Sequence, residues 1–415
     1  MTTSHAADLS TGTDYETLAN RFRPIFARIE EGAAQRDRSR ELPHEAVGWL
    51  KEAGFGAVRI PVAHGGAGAS LPQLFRLLIE LAAADSNLPQ ALRAHFAFVE
   101  DWLNVPPGAE RNTWFDRFVS GQLVGSAWSE VGNVVVGTLA TKVSSRDGRF
   151  VLNGSKYYST GSIFAEWIDV LAQREEDGSD VIAAVSTNQP GVIRKDDWDG
   201  FGQTTTGTGT TVFDNASVDA HNIIQFERRF KYQTAFYQLV HVATLAGIGA
   251  AVTRDVGTLV RQRKRIYSHG NAPHVSEDAQ IQQVAGEIAS WAYAAQALTV
   301  QAAQPLQRAY EARFAEDADA VAEHRIIVEA EIESAQSQLV VSDLVLRAAT
   351  HLFDALGASA TSTAQALDRH WRNARTVSSH NPLVYKARIV GDWVINGKEP
   401  PFVWSIGNGP GRGSK

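Results

Sequence analysis

A change in hydrophobic periodicity, from helix to strand and back, divides this chain of 415 residues into three regions. From about Tyr15 to Gln122 the apolar residues recur at helical spacing. From about Leu123 to Phe226, short β-branched runs end at Asp-Gly, Asn-Gly and Pro-Gly turns, which predicts an antiparallel β unit with one face buried. From Arg228 onward the pattern is helical again. We therefore predict an α+β, mostly α, fold with domains at 1–122, 123–227 and 228–415.

Capping signals locate the helices of the first region. One helix is predicted through ETLANRFRPIFARIEEGAAQRD, and a second through LPHEAVGWLKEAG, which Gly54 ends. Ser70 suits the N-cap of a third helix, SLPQLFRLLIELAAAD, with Pro72 in its first turn. Apart from the glycine-rich turn GAVRIPVAHGGAGAS, this region is therefore predicted to be mainly helical.

The last region carries three long apolar patterns that are typical of helices. The first runs from Arg228 to Arg265, the second begins near Ser276, and the third spans about Val321 to Leu356. Pro305 predicts a kink or break in the second, because proline has no N–H to donate within a helix. Helices of this length are expected to pack as an antiparallel bundle. Apolar residues on several sides of LVHVATLAGIGAAV predict an additional partner surface.

The absence of cysteine and the acidic charge balance exclude several kinds of protein. Without cysteine there is no disulfide, thiolate nucleophile or zinc-thiolate site, and a reducing cytoplasm is the expected compartment. The formal net charge of −7 argues against a nucleic-acid surface. The sequence contains no run of about 18 apolar residues, so no membrane span is predicted. The Ser/Thr-rich N-terminus is unlike a signal peptide. No HxH or HxxxH pair and no GxSxG motif occurs, so neither a metal site nor a hydrolase is indicated.

Three motifs, in this order of regions, carry a resemblance to a known family. They are GSAWSE (Gly125–Glu130), VLNGSKYYSTG (Val151–Gly161) and ALDRHWRNARTVSSHNP (Ala366–Pro382). Together they resemble the acyl-CoA dehydrogenase superfamily over about Tyr15–Asn396, although WRNAR replaces that family's arginine-aspartate-alanine run. The resemblance implies a helical N-terminal domain, a β-barrel-like middle domain, a C-terminal helical bundle and a homotetramer built as a dimer of dimers.

Further residues resemble the flavin-dependent monooxygenase branch of that superfamily, typified by the dibenzothiophene monooxygenases. They are His95 in ALRAHFAF, DDWDGFGQT at 196–204 and HWRNARTVSSHNPLVYK at 370–386. The branch uses reduced flavin, delivered by a separate flavin reductase, and O2. The resemblance therefore implies a two-component FMNH2-dependent monooxygenase that acts through a flavin C4a-hydroperoxide on a small organic, preferably organosulfur, substrate. Oxygenation of nitrogen or of carbon stays open.

The base that a dehydrogenase needs is missing from both positions where the resemblance predicts it. Abstraction of an α-proton needs a carboxylate within hydrogen-bond reach of that carbon. One position falls on Ala364, and the other falls within Phe230–Arg254, which contains no Asp or Glu. A dehydrogenase would therefore need a relocated base, for which Glu100 and Glu130 are the candidates. A non-catalytic flavin-binding protein is a further alternative.

The resemblance also assigns residues to the flavin ring. It places Thr160 at flavin N5, Tyr158 on the ring and Ser129 at the pyrimidine edge, with Trp128 and Trp198 as walls of the site. His95 and His380 would be the acid–base pair around the hydroperoxide, because histidine titrates near neutral pH. Thr160 is counted with this pair as catalytic. From the residues alone, His95 between aromatic side chains is typical of a core histidine, His380 before Asn-Pro could cap a helix, and the tyrosine could simply pack across strands.

The phosphate end of the cofactor is assigned to two short segments. The resemblance implies that Arg263 or Arg265 binds phosphate, although cations at a helix C-terminus also stabilise the helix dipole. Gly357 and Ser359, in LGASAT, would line the cofactor groove. Alanines replace two glycines of the family's turn there, which favours FMN and leaves FAD as the alternative.

Two more segments give weaker expectations. GQTTTGTGTT at 202–211 is interpreted as an edge strand and loop, because no helix follows that could bind phosphate at its N-terminus. In the C-terminal segment, Phe402 and Trp404 are expected to dock on a neighbouring subunit or near a site mouth.

Overall fold

The computed structural model describes residues 13–131, 138–146, 149–315 and 319–403. The N-terminal helices are α1 (Tyr15–Asn20), α2 (Arg23–Ser39), α3 (His44–Glu52), α4 (Leu71–Ala84), α5 (Asn87–Leu103) and α6 (Ala109–Val119). The strands are β1 (Val124–Ala127), β2 (Lys142–Arg146), β3 (Arg149–Lys156), β4 (Trp167–Arg174), β5 (Asp180–Ser186), β6 (Val192–Arg194), β7 (Thr211–Val218) and β8 (Ile223–Gln225). The C-terminal helices are α7 (Gln233–Gln262), α8 (Ala279–Ala312), α9 (Ala320–Leu356), α10 (Asp368–Ser378) and α11 (Leu383–Asn396). The predicted fold class is confirmed.

The N-terminal helices follow their capping signals with one exception. Ser70 caps α4 by accepting from the backbone N–H of Gln73, in a complete capping box. Gly54 takes a left-handed φ of 72° just after α3, as expected for a helix end. The first predicted helix is instead two helices that meet at Phe22, because Pro24 occupies the first turn of α2 and cannot donate into a preceding helix.

One eight-stranded sheet forms the middle of the chain. Its order is β6-β7-β3-β2-β4-β5-β8, and β1 pairs in parallel with β4. The sheet is antiparallel elsewhere, except for a short parallel pairing of β2 with β4. The segment GQTTTGTGTT is a loop up to Thr211, but the strand that begins there is β7, which lies between β6 and β3. The expectation of an edge strand was therefore wrong.

The C-terminal helices pack around α7, which is the most buried of them. Ala235 at the start of α7 donates to Glu331 of α9, and Gly249 later in α7 faces Val345 of α9, so these two helices run in the same direction. Helix α8 continues through Pro305 without a break. Helix α7 is long and apolar enough to cross a membrane, yet 94% of its most apolar window is buried inside the protein, as in a core helix.

Phe402, near the end of the last described segment, packs on the helical bundle. The backbone carbonyl of Phe402 accepts from Thr234 Oγ1 at 2.6 Å, and its ring lies 5.6 Å from that of His324. Phe402 therefore contacts the starts of α7 and α9, and its docking on a neighbour or at a site mouth stays a prediction. Trp404 lies outside the described residues.

The hairpin after β3 packs directly on α5 through a glycine. Gly161 has φ of 77°, and a Cβ there would lie 2.1 Å from the carbonyl oxygen of Ala91. Both the left-handed conformation and the contact require glycine. This contact positions the hairpin residues against the helix that carries Arg93 and His95.

Replacement of Gly161 by alanine is expected to destabilise the protein more than the same change at Gly178. Gly178 also has a left-handed φ, 73°, but a Cβ there would meet nothing within 4 Å. Gly178→Ala should therefore cost only the conformational strain, about 1–2 kcal/mol. Gly161→Ala should cost about 2 kcal/mol more, because of the overlap with Ala91. Urea denaturation measures both, and equal losses would contradict the assigned contact.

Candidate active site

The two motifs assigned to the flavin ring lie side by side. The backbone N–H of Tyr157 donates to the carbonyl of Ser129 at 2.9 Å, and that of Ser126 donates to the carbonyl of Thr160 at 3.1 Å. Ser162 Oγ donates to the carbonyl of Ser126 at 2.8 Å. The end of β1 and the hairpin after β3 therefore form one continuous edge, as the motifs predicted.

Thr160 and Tyr158 project from this edge with different surroundings. Thr160 Oγ1 is 3.0 Å from Thr208 Oγ1, which is 2.6 Å from Thr206 Oγ1, so Thr160 belongs to a chain of three hydroxyls. Tyr158 has φ of 57°, uncommon for a non-glycine residue, and its side chain is 48% exposed beside Trp198. Strained backbone of this kind is concentrated at functional sites. An aromatic pair at this edge, with Tyr158 exposed, is suited to packing on a planar ligand.

Trp128 holds the other side of the edge in place. Its Nε1 donates to Asp169 Oδ1 at 2.8 Å, and its ring packs 5.5 Å from that of Tyr237. The guanidinium of Arg229 lies 4.6 Å from the ring centroid of Trp128. These contacts fix the indole plane, which fits the predicted wall role.

His380 lies next to two residues that the sequence analysis did not select. It follows α10, and its ring centroid is 4.2 Å from that of His241 on α7. Arg93 Nη2 is 3.4 Å from His380 Nε2. His380 is solvent-exposed beside the buried ring of His241 and beside Arg93, and we call the solvent-accessible space at this point the recess. These surroundings and the charge of Arg93 lower the pKa of His380.

His241 is buried with both ring nitrogens free of hydrogen bonds. Buried polar atoms are nearly always paired, so an imidazole without a partner points to a ligand or to chemistry. Burial, followed by His380, Arg93 and Lys386, holds the pKa of His241 well below its usual range, so the ring is neutral. A signal for it existed in the sequence. His241 is the single histidine of the stretch Phe230–Arg254, which contains no Asp or Glu. The base expected from this stretch was a carboxylate.

His95 does not join His380, and the predicted acid–base role does not fit it. Its Nδ1 accepts from the backbone N–H of Val124 at 3.3 Å, and its Nε2 lies 2.9 Å from the carbonyl of Gly56. Since a carbonyl can only accept, Nε2 carries the proton and Nδ1 has none. The ring is fully buried against Phe96 and Phe118. Both nitrogens serve the backbone, so His95 is a core residue that ties α5 to β1.

The buried His95 is expected to make stability depend on acid pH. Burial lowers its pKa to about 4, whereas an unfolded chain titrates near 6.5. The unfolded state therefore binds the proton first, so the full stability is present above pH 6.5 and is lost as the pH falls towards 4. Urea titrations should show that the free energy of unfolding falls between pH 7 and pH 4 in both proteins. The fall should be smaller in His95→Gln than in the wild type, by up to about 3 kcal/mol. An unchanged acid dependence would contradict this assignment.

The residues predicted for the cofactor phosphate lie at the C-terminal end of α9. Arg263 Nη1 donates to the carbonyls of Ala355 and Leu356 at 3.2 and 3.0 Å, so this arginine caps the helix. Gly357 follows with φ of 71° and lies against Arg263. Arg265 and Ser359, which follow Arg263 and Gly357 in the sequence, are exposed. The structure brings Arg263 and Gly357 together, while a phosphate role for the four residues stays a prediction.

The carboxylates considered for a relocated base are already engaged. Glu100 is buried between Arg59 Nε, at 2.6 Å, and Tyr232 Oη, also at 2.6 Å. Glu130 accepts from buried Lys156 at 2.7 Å and from two backbone N–H groups, which lower its pKa to about 2. Both carboxylates are therefore held by hydrogen bonds to other groups of the protein. Ala364 is exposed and carries no basic group.

Comparisons with known proteins agree with this geometry. The chain is 25% identical over 402 residues to a dibenzothiophene monooxygenase of Mycolicibacterium goodii, covering 91% of this chain and 93% of the relative. It is 25% identical to a probable FMNH2-dependent monooxygenase, SfnC, of Pseudomonas putida, with 91% and 94% covered. The solved structure of TdsC from Paenibacillus sp. A11-2 with FMN and indole has a TM-score of 0.83 at 24% identity, covering 93% of this chain and 98% of that one.

Three family models match in order along the sequence. They describe the acyl-CoA dehydrogenase N-terminal domain at residues 14–122, the middle domain at 128–216 and the C-terminal domain at 239–384. These ranges include the hairpin edge, His241 and His380. The chain therefore belongs to the acyl-CoA dehydrogenase superfamily.

Proposed function

We propose that this protein is a two-component, FMNH2-dependent monooxygenase that adds one oxygen atom to a small organic substrate, preferably at sulfur. The observation that carries the proposal is the pair His241–His380, in which His241 has two unpaired nitrogens. Arg93 lies beside His380 and over the ring of Tyr237, which packs on Trp128 of the hairpin edge. The carboxylates of Glu100 and Glu130 are both engaged elsewhere. Relatives that cover about nine tenths of the chain are named for this chemistry. Oxygenation at nitrogen or carbon is the alternative within the same fold.

The described residues fit a flavin. The edge offers backbone groups and the hydroxyl of Thr160, and exposed Tyr158 beside Trp198 offers a planar surface. His241 has two nitrogens without partners. Bound reduced FMN would supply the oxygen activation, through the flavin hydroperoxide expected from the sequence. FAD is the alternative cofactor, and the alanines near Gly357 favour FMN.

The two histidines suit proton transfer and the exclusion of water. With a lowered pKa, His241 is neutral at pH 7, so it can donate one N–H and accept at the other nitrogen. His380 is exposed to the recess and its ring lies 4.2 Å from that of His241. A proton can therefore pass between the recess and the buried ring of His241 through His380. A proton donor that is shielded from solvent favours release of the second oxygen atom of O2 as water and disfavours release of hydrogen peroxide. His380 thus keeps its proposed role, and His241 replaces His95 beside it.

The proposal includes partners. A separate flavin reductase would supply reduced FMN, and O2 would be the co-substrate. Helix α11 leaves Val384, Val394 and Ile395 highly exposed, which favours burial against another copy in the proposed homotetramer. The absence of cysteine fits the proposed cytoplasmic location.

The test combines the protein with FMN, a flavin reductase, NADH and isotopically labelled O2. Dibenzothiophene, a small sulfone and indole serve as substrates that offer sulfur or carbon, and a hydroxylamine-forming amine offers nitrogen. We expect labelled product from at least one of them and a delayed flavin oxidation in stopped flow. Free FMNH2 without protein is the control. No labelled product and no delayed oxidation with any substrate would refute the proposal, and reduction of bound flavin by an acyl-CoA without O2 would establish the dehydrogenase alternative.

A further inference from the structure

Arg93 brings a positive charge to the recess without a carboxylate to balance it. Its guanidinium carbon lies 5.0 Å from the ring centroid of Tyr237, and its Nε is buried without a hydrogen bond. Ion pairs among the described residues join Arg59 to Glu100 and Arg229 to Asp101, yet none of those pairs includes Arg93. Arg93 is partly buried, and a partly buried cation without a counter-charge is unfavourable, a cost that a bound anion relieves.

The groups around Arg93 add to this positive character. Arg93 Nη2 donates to His380 Nε2 at 3.4 Å, and the ring of His241 lies 4.2 Å from that of His380. Lys386 is also buried, and its charge helps to lower the pKa of His241. Glu331 on α9 partly offsets the charge of Lys386. Arg93 is a fork of N–H donors, a shape that matches the two oxygens of an oxyanion.

We propose that the substrate of this site is a small organic acid whose oxyanion, a carboxylate or a sulfinate, binds to Arg93. The inference rests on the proposed function, because it assigns a substrate class to the same recess. A neutral polycyclic substrate would leave the guanidinium without a counter-charge, whereas an oxyanion would pair with Nε and an Nη and bring the rest of the molecule towards His241 and His380.

The test measures binding, not turnover, with the protein saturated with oxidised FMN. Benzoate, benzenesulfinate and the neutral benzamide are titrated by calorimetry. Benzoate or benzenesulfinate should bind at least about 10-fold more tightly than benzamide, and Arg93→Gln should weaken the anions about 10- to 100-fold with benzamide unchanged. The ratio of the two anions decides between carboxylate and sulfinate. Arg347→Gln, on the exposed surface of α9, is the matched control.

Two results would overturn the inference. One is equal binding of benzamide and both anions by the wild type. The other is a loss of FMN affinity in Arg93→Gln with the anion preference intact, which would assign Arg93 to the flavin. Arg93→Lys keeps the charge and should retain part of the preference, and it replaces the glutamine variant if that variant does not fold. Because no oxygen chemistry is involved, a failed oxygenation assay leaves this result readable.

Discussion

In the His241→Leu variant, reduced FMN and O2 are expected to give mainly hydrogen peroxide, with product formation lowered about 100-fold or more. Leucine fills a similar volume in the buried position but cannot donate or accept a proton. The variant should nevertheless be as stable as the wild type or more stable, by up to about 1–3 kcal/mol, because two unpaired buried nitrogens are removed. Loss of activity with a gain in stability is the mark of a functional residue.

The measurement is the ratio of product to peroxide, together with urea denaturation of both proteins. Thr244→Val is the matched control, since Thr244 is buried one turn further along α7 and its hydroxyl bonds only to its own helix at Val240. It should keep the wild-type ratio. A His241→Leu protein that couples oxygen to product as well as the wild type would remove His241 from the proposed chemistry.

The fold and the adjacency of the two motifs at the hairpin edge could be predicted from sequence because their signals are local. The period of the apolar residues defines the helices and strands. The motifs around Ser129 and Thr160 meet because each follows a strand, β1 or β3, of the same sheet. Pro305 shows the limit of such signals. Packing against neighbouring helices keeps α8 continuous through a residue that disfavours helix, which the local pattern cannot reveal.

The pairing of His95 with His380 was predicted from the sequence, which gives the helix but not its rotation. Arg93 and His95 are two residues apart on α5, about 200° around the helix, so they face opposite sides. The packing of α5 turns His95 into the core and Arg93 towards His380. His241 was missed for a chemical reason, because the search of α7 assumed that a base must be a carboxylate.

Arg229→Met is expected to destabilise the protein by about 3–5 kcal/mol. Arg229 is fully buried and donates to Asp101 of α5 at 2.6 Å, lies 3.6 Å from Asp169 of β4, and covers the ring of Trp128. It therefore connects the N-terminal helices, the sheet and the start of α7. Its removal leaves two buried carboxylates without a cation, and urea denaturation measures the loss. Arg347→Met breaks the exposed pair with Asp343 and should cost less than about 1 kcal/mol.

The pH dependence of this loss separates charge from packing. Burial already raises the pKa of Asp169 to about 6, so the folded protein holds this proton more tightly than the unfolded chain does. Without Arg229 the pKa of both carboxyls should rise further, and protonation at pH 5 would then remove most of the unpaired charge. The deficit of Arg229→Met should accordingly be smaller at pH 5 than at pH 8, and Asp101→Asn in the same chain should restore part of the stability at pH 8. A deficit that is the same at both pH values would mean that the packing of the arginine on Trp128, and not its charge, joins the three regions.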